Sequence, residues 1–123
     1  MISEKLMEPQ PFNAEDHIFD IAFHPKNNVI ACGLITGDTK LIQYSLDKTE
    51  EIAHLVHHQK SVRCCQFSPS GNFLATGSED RSIGIIDGEG NEALKLKRAH
   101  ENPIYSLYFL DDTLLASGDD EGQ

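Results

Sequence analysis

The sequence has no tryptophan, two methionines, three cysteines, and half as many basic as acidic side chains, 10 Lys and Arg against 20 Asp and Glu. Each shortage argues against a class of function. At a formal net charge of −10, the chain lacks the clustered cations that neutralise a phosphate backbone, so direct nucleic-acid binding is not expected. The same balance suits a soluble scaffold that meets basic partners. No apolar run approaches the roughly 20 residues of a membrane span, so no membrane contact is expected, and no signal-peptide pattern is present. Three cysteines, an odd number without framework spacing, point to reduced thiols in cytosol or nucleus. At 123 residues the chain has the length of one small domain with a modest core.

What the sequence does have is a run of short strands. Residues 58–87 contain three apolar runs, Val62–Phe67, 73–77 and 83–86, too short for helices and rich in Val, Ile, Phe and Thr. Ser68-Pro69-Ser70-Gly71-Asn72 supplies the first turn, because Pro presets φ while Gly and Asn tolerate angles that bulkier residues avoid. Glu79-Asp80-Arg81 supplies the second. Phe73 and Leu74 are adjacent and must point to opposite faces, as must Ile85 and Ile86, so this antiparallel meander is packed on both sides.

The pattern occurs three times. Phe23, Phe67 and Phe109 recur, each with a β-branched residue upstream at Ile18, Val62 and Ile104. After each Phe comes a turn, then Ile30-Ala31-Cys32-Gly33, Leu74-Ala75-Thr76-Gly77 or Leu115-Ala116-Ser117-Gly118. His58 and His100 precede the second and third copies. A repeat of roughly 40–45 residues carrying four short strands is the signature of a propeller blade.

On these residues the chain resembles the WD-repeat family over residues 17–122. The specific elements are the His, the Phe-Ser-Pro-Ser-Gly turn, Leu-Ala-Thr-Gly-Ser-Glu-Asp, and the pair Ile86-Asp87. It departs from the family in four places: Ile42 and Ile86 fill its Trp position, Gln43 replaces its Asp, and Ala14 stands where the first copy would carry His. Within the family, residues 100–122 and the short second copy look most like a nucleolar member linked to ribosome production. The resemblance implies an all-β, incomplete WD-repeat β-propeller, with two four-stranded antiparallel blades plus half of a third. The expected divisions are a flexible acidic N-terminal arm over 1–16, blades over 17–58 and 59–100, and a partial blade over 101–123. Residues 1–6 are expected to supply an outer strand to a complete ring. The chain reads as part of a protein of about seven blades, and its open edges are expected to promote self-association.

Three side-chain groups invite a chemical reading. His58, Thr76 and Asp80 form a His–hydroxyl–carboxylate set that could belong to a small hydrolase. The resemblance assigns them instead to a buried structural network, in which Asp80 fixes the His58 tautomer and His58 bonds the Thr76 hydroxyl. In the third copy His100 and Ser117 persist, but Glu121 stands at the position of Asp80. His54, His57, His58, Cys64 and Cys65 are all legitimate zinc ligands, but adjacent strand residues point apart, so no metal site is expected. Gly88-Glu89-Gly90 is a hairpin turn, since Glu89 and Glu92 would repel a phosphate. Lys95, Lys97 and Arg98 protect an outer edge.

The expected function is therefore a non-catalytic scaffold, with no cofactor, that presents loops to other proteins. By resemblance the partners are pre-ribosomal or nucleolar, in ribosome biogenesis and rRNA production, with nucleus and nucleolus as the location and the cytoplasm as the alternative. Lys60, Arg63 and Tyr105, on the His-bearing side, are the candidate partner contacts. A substrate-receptor subunit of a ubiquitin ligase is the other binding role considered.

Overall fold

A computed structural model of the chain describes residues 11–123, and all of its regular structure is β. The first sheet contains β1 (Ile18–Phe23), β2 (Val29–Leu34), β3 (Asp38–Tyr44) and β4 (Thr49–Val56). The second contains β5 (Val62–Phe67), β6 (Phe73–Ser78), β7 (Ile83–Asp87) and β8 (Glu92–Leu96). The third pairs β9 (Ile104–Asp111) with β10 (Leu114–Asp119). Each four-stranded sheet is an antiparallel meander in chain order. The architecture is thus two complete propeller blades and half of a third, with strand positions close to those read from the apolar runs.

The core lies between sheets, as expected for strands with apolar residues on both faces. Between the first and second sheets, Ala31, Cys65, Leu74 and Ile86 are buried together, with Leu41, Leu55 and Phe67 packed around them. Cys64, Ile83 and Ile104 form the equivalent layer between the second and third. The inner strands are also tied directly. The Asp20 carboxylate accepts the Cys65 amide at 3.1 Å, and the Gln66 side-chain oxygen accepts the Phe109 amide at 2.6 Å. These bonds pair amides on edge strands that would otherwise invite another chain.

One contact sets the spacing. A Cβ built on Gly33 would lie 2.8 Å from Val62 Cγ1, and one on Gly77 would lie 2.8 Å from Ile104 Cγ2. Val62 and Ile104 are fully buried. The inner strand of each following sheet therefore seats its first β-branched side chain where the second strand of the preceding sheet has no side chain. The recurring Gly and β-branched residue are the two halves of one joint.

On the first sheet's other face, residues 11–16 of the arm expected over 1–16 pack against the strands. Ala14 is buried with Cys32, Leu34 and Ile42, and Phe12 packs against them. Lys40 Nζ donates to the Ala14 carbonyl at 3.0 Å, and Thr49 Oγ1 donates to the Pro11 carbonyl at 3.1 Å. The segment lacks periodicity because it is held as an irregular strap whose apolar residues, Phe12 and Ala14, cover the sheet face. The outer strand expected from residues 1–6 lies outside the described residues.

The three thiols are sealed into these layers and lie apart from any disulfide. Burial, reinforced by the nearby Asp20 carboxylate, pushes the Cys64 thiol up to about 12. Burial raises Cys65 further still and also raises Cys32, where Lys40 opposes it. Thiolate, the reactive form, is therefore suppressed at all three. At pH 8, iodoacetamide should modify them only at the rate of global unfolding, with a denaturant dependence that parallels the unfolding rate. A cysteine that reacts rapidly without denaturant would contradict this packing.

Candidate functional site

The best-defined polar group is centred on His58, at the connection between the first and second sheets. Its imidazole is completely buried, with Asp80 nearly so. Nδ1 lies 2.8 Å from Ser82 Oγ and 3.2 Å from Asp80 Oδ2, while Nε2 lies 2.8 Å from Thr76 Oγ1. The Ser82 hydroxyl bonds closely to Asp80 Oδ1. Because the carboxylate can only accept, the proton pattern follows. Ser82 donates to Asp80, His58 Nδ1–H donates to Ser82 and Asp80, and the Thr76 hydroxyl donates to His58 Nε2. His57 Nε2 completes the chain, 3.1 Å from Thr76 Oγ1, as its donor.

Local sequence explains the placement. Ser78, Asp80 and Ser82 alternate through the tight turn between β6 and β7. The Asp80 amide bonds Ser78 Oγ at 3.0 Å, and the Ser82 amide bonds Asp80 Oδ1 at 2.9 Å. Arg81, at φ 74, takes the left-handed conformation that closes the turn. Asp80 also receives the Gln59 amide at 2.9 Å, tying the turn to the inter-sheet connection.

The electrostatics are those of an enclosed structural group. Burial raises the Asp80 carboxyl, but hydrogen bonds from Ser82 and the Gln59 amide, with His58 alongside, outweigh it and bring Asp80 to about 2. Burial holds His58 below the ordinary imidazole range despite Asp80. Burial lowers His57 to about 4, assisted by repulsion from His58 and Lys95. Both nitrogens of His58 are used inside the chain and its ring is shut off from solvent, so it has no free base to offer a substrate.

The three copies solve the same problem differently. In the third, His100 Nε2 lies 2.8 Å from Ser117 Oγ and Nδ1 lies 3.2 Å from Asp119 Oδ2. The acid is therefore Asp119, at the strand end, and not Glu121, the residue aligned with Asp80. Asp119 also receives the Glu121 amide at 3.0 Å and the Gln123 amide at 2.9 Å, so it organises the turn from a different corner. In the first copy the His and hydroxyl are both replaced by apolar groups, Ala14 and Cys32, which pack together. Replacing both partners avoids leaving a buried polar group unpaired, whereas removing one would not.

The five residues weighed as metal ligands point in different directions. His54 Nε2 lies 2.7 Å from Asp38 Oδ2, while His57 and His58 converge on Thr76. Cys64 Sγ points toward the Ile104 carbonyl, and Cys65 Sγ toward the Asp20 and Ala31 carbonyls. Among the edge cations, Lys95 Nζ caps the His57 carbonyl and Arg98 pairs with Glu101 at 2.7 Å.

The candidate contact residues divide. Lys60 is exposed. Arg63 lies with its guanidinium carbon 4.3 Å from the Phe19 ring centroid and 5.3 Å from that of Tyr105. Its Nη2 reaches Glu79 at 3.2 Å, and its Nε is buried without a hydrogen-bond partner. Phe19, Arg63 and Tyr105 each follow the first residue of their sheet's inner strand, and each sits at a break in strand register. A bulge re-aims its side chain, and here three bulges bring an aromatic, a cation and an aromatic together across three sheets. Phe19, Glu79 and Ser82 are contributors that the sequence reading did not single out. The repeat alignment could have found Phe19, because it occupies the same register as Arg63 and Tyr105.

Comparison with known proteins agrees with this geometry. Residues 49–87 match the WD domain, G-beta repeat model. The chain is 39% identical over 115 residues to the WD repeat-containing protein 55 homolog of Drosophila willistoni, an alignment covering 93% of this chain and 23% of that protein. It is 38% identical over 117 residues to WD repeat-containing protein 55 of Danio rerio, covering 93% and 30%. The chain thus spans less than a third of the length of these relatives. Among solved structures, Saccharomyces cerevisiae Sqt1 superposes with a TM-score of 0.76 at 21% identity, covering 87% of this chain and 30% of that one. The β-propeller domain of Myceliophteria_thermophila Cps50 (Swd1) gives 0.75 at 18%, covering 88% and 33%.

Two measurements check the network. Asp80→Ala should cost about 1–3 kcal/mol, because His58, Ser82 and the Gln59 amide lose their acceptor. Any specific hydrolytic activity abolished by the same change would contradict a structural role. His57, whose folded value lies below its unfolded one, favours folding above about pH 6.5, and that contribution is lost as pH falls toward about 4. The urea midpoint should therefore fall across this window and fall less steeply in His57→Gln; an unchanged slope would show that His57 is not responsible. With a repeat-model match, relatives of more than a third identity and propeller neighbours all pointing the same way, the chain belongs to the WD-repeat family.

Proposed function

We propose that this chain is part of a non-catalytic scaffold that holds other proteins on the face of its propeller, and that it serves ribosome biogenesis and rRNA production in the nucleolus. The observation that carries the scaffold reading is the Phe19–Arg63–Tyr105 alignment. Three successive sheets contribute one side chain each to a patch held by cation–π contact and by the Glu79 carboxylate. Aromatic and Arg groups fixed on rigid strands are the residue types that dominate binding at protein interfaces. Lys60, beside the patch in sequence, is exposed. The reading of the process rests on similarity to proteins named WD repeat-containing protein 55. The acidic balance of the chain directs any association with pre-ribosomes through proteins and not through RNA.

The test combines Tyr105→Ala with Lys60→Glu in the full chain, comparing co-purified proteins from nucleolar extract. These exposed positions should leave the thermal midpoint nearly unchanged while reducing recovery of pre-ribosomal proteins at least about tenfold, the loss expected from one central aromatic. An unchanged partner set, or one without pre-ribosomal proteins, would overturn the reading. The purified protein should also fail to retain a bare RNA oligonucleotide at physiological salt; salt-sensitive retention would contradict the charge argument.

A further inference from the structure

A concavity lies at the other end of the strands from that patch, among the turns that follow β1, β5 and β7. It is a notch of about 230 Å³ between the first and second sheets. Leu74 and Ile86 form its floor, Leu41 and Phe67 its walls, and Ile52, on the outermost strand, stands half-exposed at its mouth. Both flanking sheets have all four strands, so the notch does not arise from a missing strand.

Size and charge together indicate what would fill it. An apolar cavity of about 150 Å³ accommodates one benzene ring, so this notch has room for a single large aromatic side chain. Among the described residues, Asp87 is the only carboxylate that lines it, and no Lys or Arg does. Asp87 Oδ1 is occupied by the amides of Glu89 and Asn91, which leaves the group an acceptor fixed at the rim. Glu89 adds a second negative charge nearby. His24, the remaining titratable lining group, is held by the Gly71 carbonyl at 3.1 Å.

We propose that this notch is a docking site for a partner peptide that inserts one aromatic side chain and places a Lys or Arg beside it, against Asp87. Burial of the ring supplies affinity and the flanking cation supplies selectivity. The site is separate from the ring-face patch, so a partner could engage both.

The experiment is a titration of the full chain, followed by methyl NMR, with the peptide Ac-Lys-Trp-Lys-amide and its Ac-Lys-Ala-Lys-amide and Ac-Glu-Trp-Glu-amide counterparts. Saturable shifts are expected at Ile52, Ile86 and Leu41, with both control peptides at least about tenfold weaker. Ile86→Trp should fill the notch from within and abolish the response. If that variant does not fold, Ile52→Glu, at an exposed position, blocks the mouth and decides the matter. Three results would each overturn the proposal: no saturable shift, equal response to the Ala peptide, or shifts confined to methyls outside the notch. So would movement of the notch methyls with protein concentration alone, which would assign the notch to a second copy of the chain.

Discussion

Adjacent sheets are held in register by a joint in which a side chain enters the space left by a glycine. Val62 sits against Gly33 and Ile104 against Gly77, at separations that no Cβ would tolerate. That close approach brings the inner strands within reach of the Asp20 and Gln66 tethers. It also buries the layers that contain Cys65, Leu74 and Ile86 on one side and Cys64 and Ile83 on the other. Packing at this density makes even one added methyl group costly. Two of the three patch residues depend on the same joint, since Arg63 and Tyr105 directly follow Val62 and Ile104.

Polar groups are arranged around this framework so that burial leaves few of them unpaired. The second sheet uses two hydroxyls, two imidazoles and a carboxylate in one donor–acceptor chain. The third uses a shorter version with its acid at Asp119, and the first uses Ala14 and Cys32 in place of the His and hydroxyl. Each solution is closed in itself, which is why the copies can diverge at these positions while the strands keep the same order. The two concave or exposed features, the ring-face patch and the notch between sheets, lie at opposite ends of the strands. A scaffold with two separate sites could hold two partners, or two parts of one, in a fixed relative orientation.

Much of this was legible in the sequence. Strand positions followed from short apolar runs between Pro-, Gly- and Asp-containing turns, and repetition supplied the blade. His58, Thr76 and Asp80 were legible as a set because each is fixed relative to the repeat. Ser82 and Asp119 were not, because alignment assigns roles by position, whereas a turn can deliver a carboxylate from either of two corners. The packing of Phe12 and Ala14 was hidden because an irregular strap has no periodicity to read. The bracketing of Arg63 depended on bulges, whose effect is to break the alternation on which sequence reading relies. The notch was invisible for a similar reason: a void is a property of several side chains from two sheets.

The central claim, that glycine and β-branched residues are matched across sheets, is tested most directly by a double-mutant cycle on Gly33 and Val62. A Cβ at Gly33 meets Val62 Cγ1 first, so Val62→Ala removes the atom that Gly33→Ala would strike. Each single change should destabilise the protein in urea unfolding. The double variant should be more stable than the sum of the two losses predicts, by about 1 kcal/mol or more, the coupling expected of residues in direct contact. Additivity within about 0.3–0.5 kcal/mol, the behaviour of independent sites, would contradict the account.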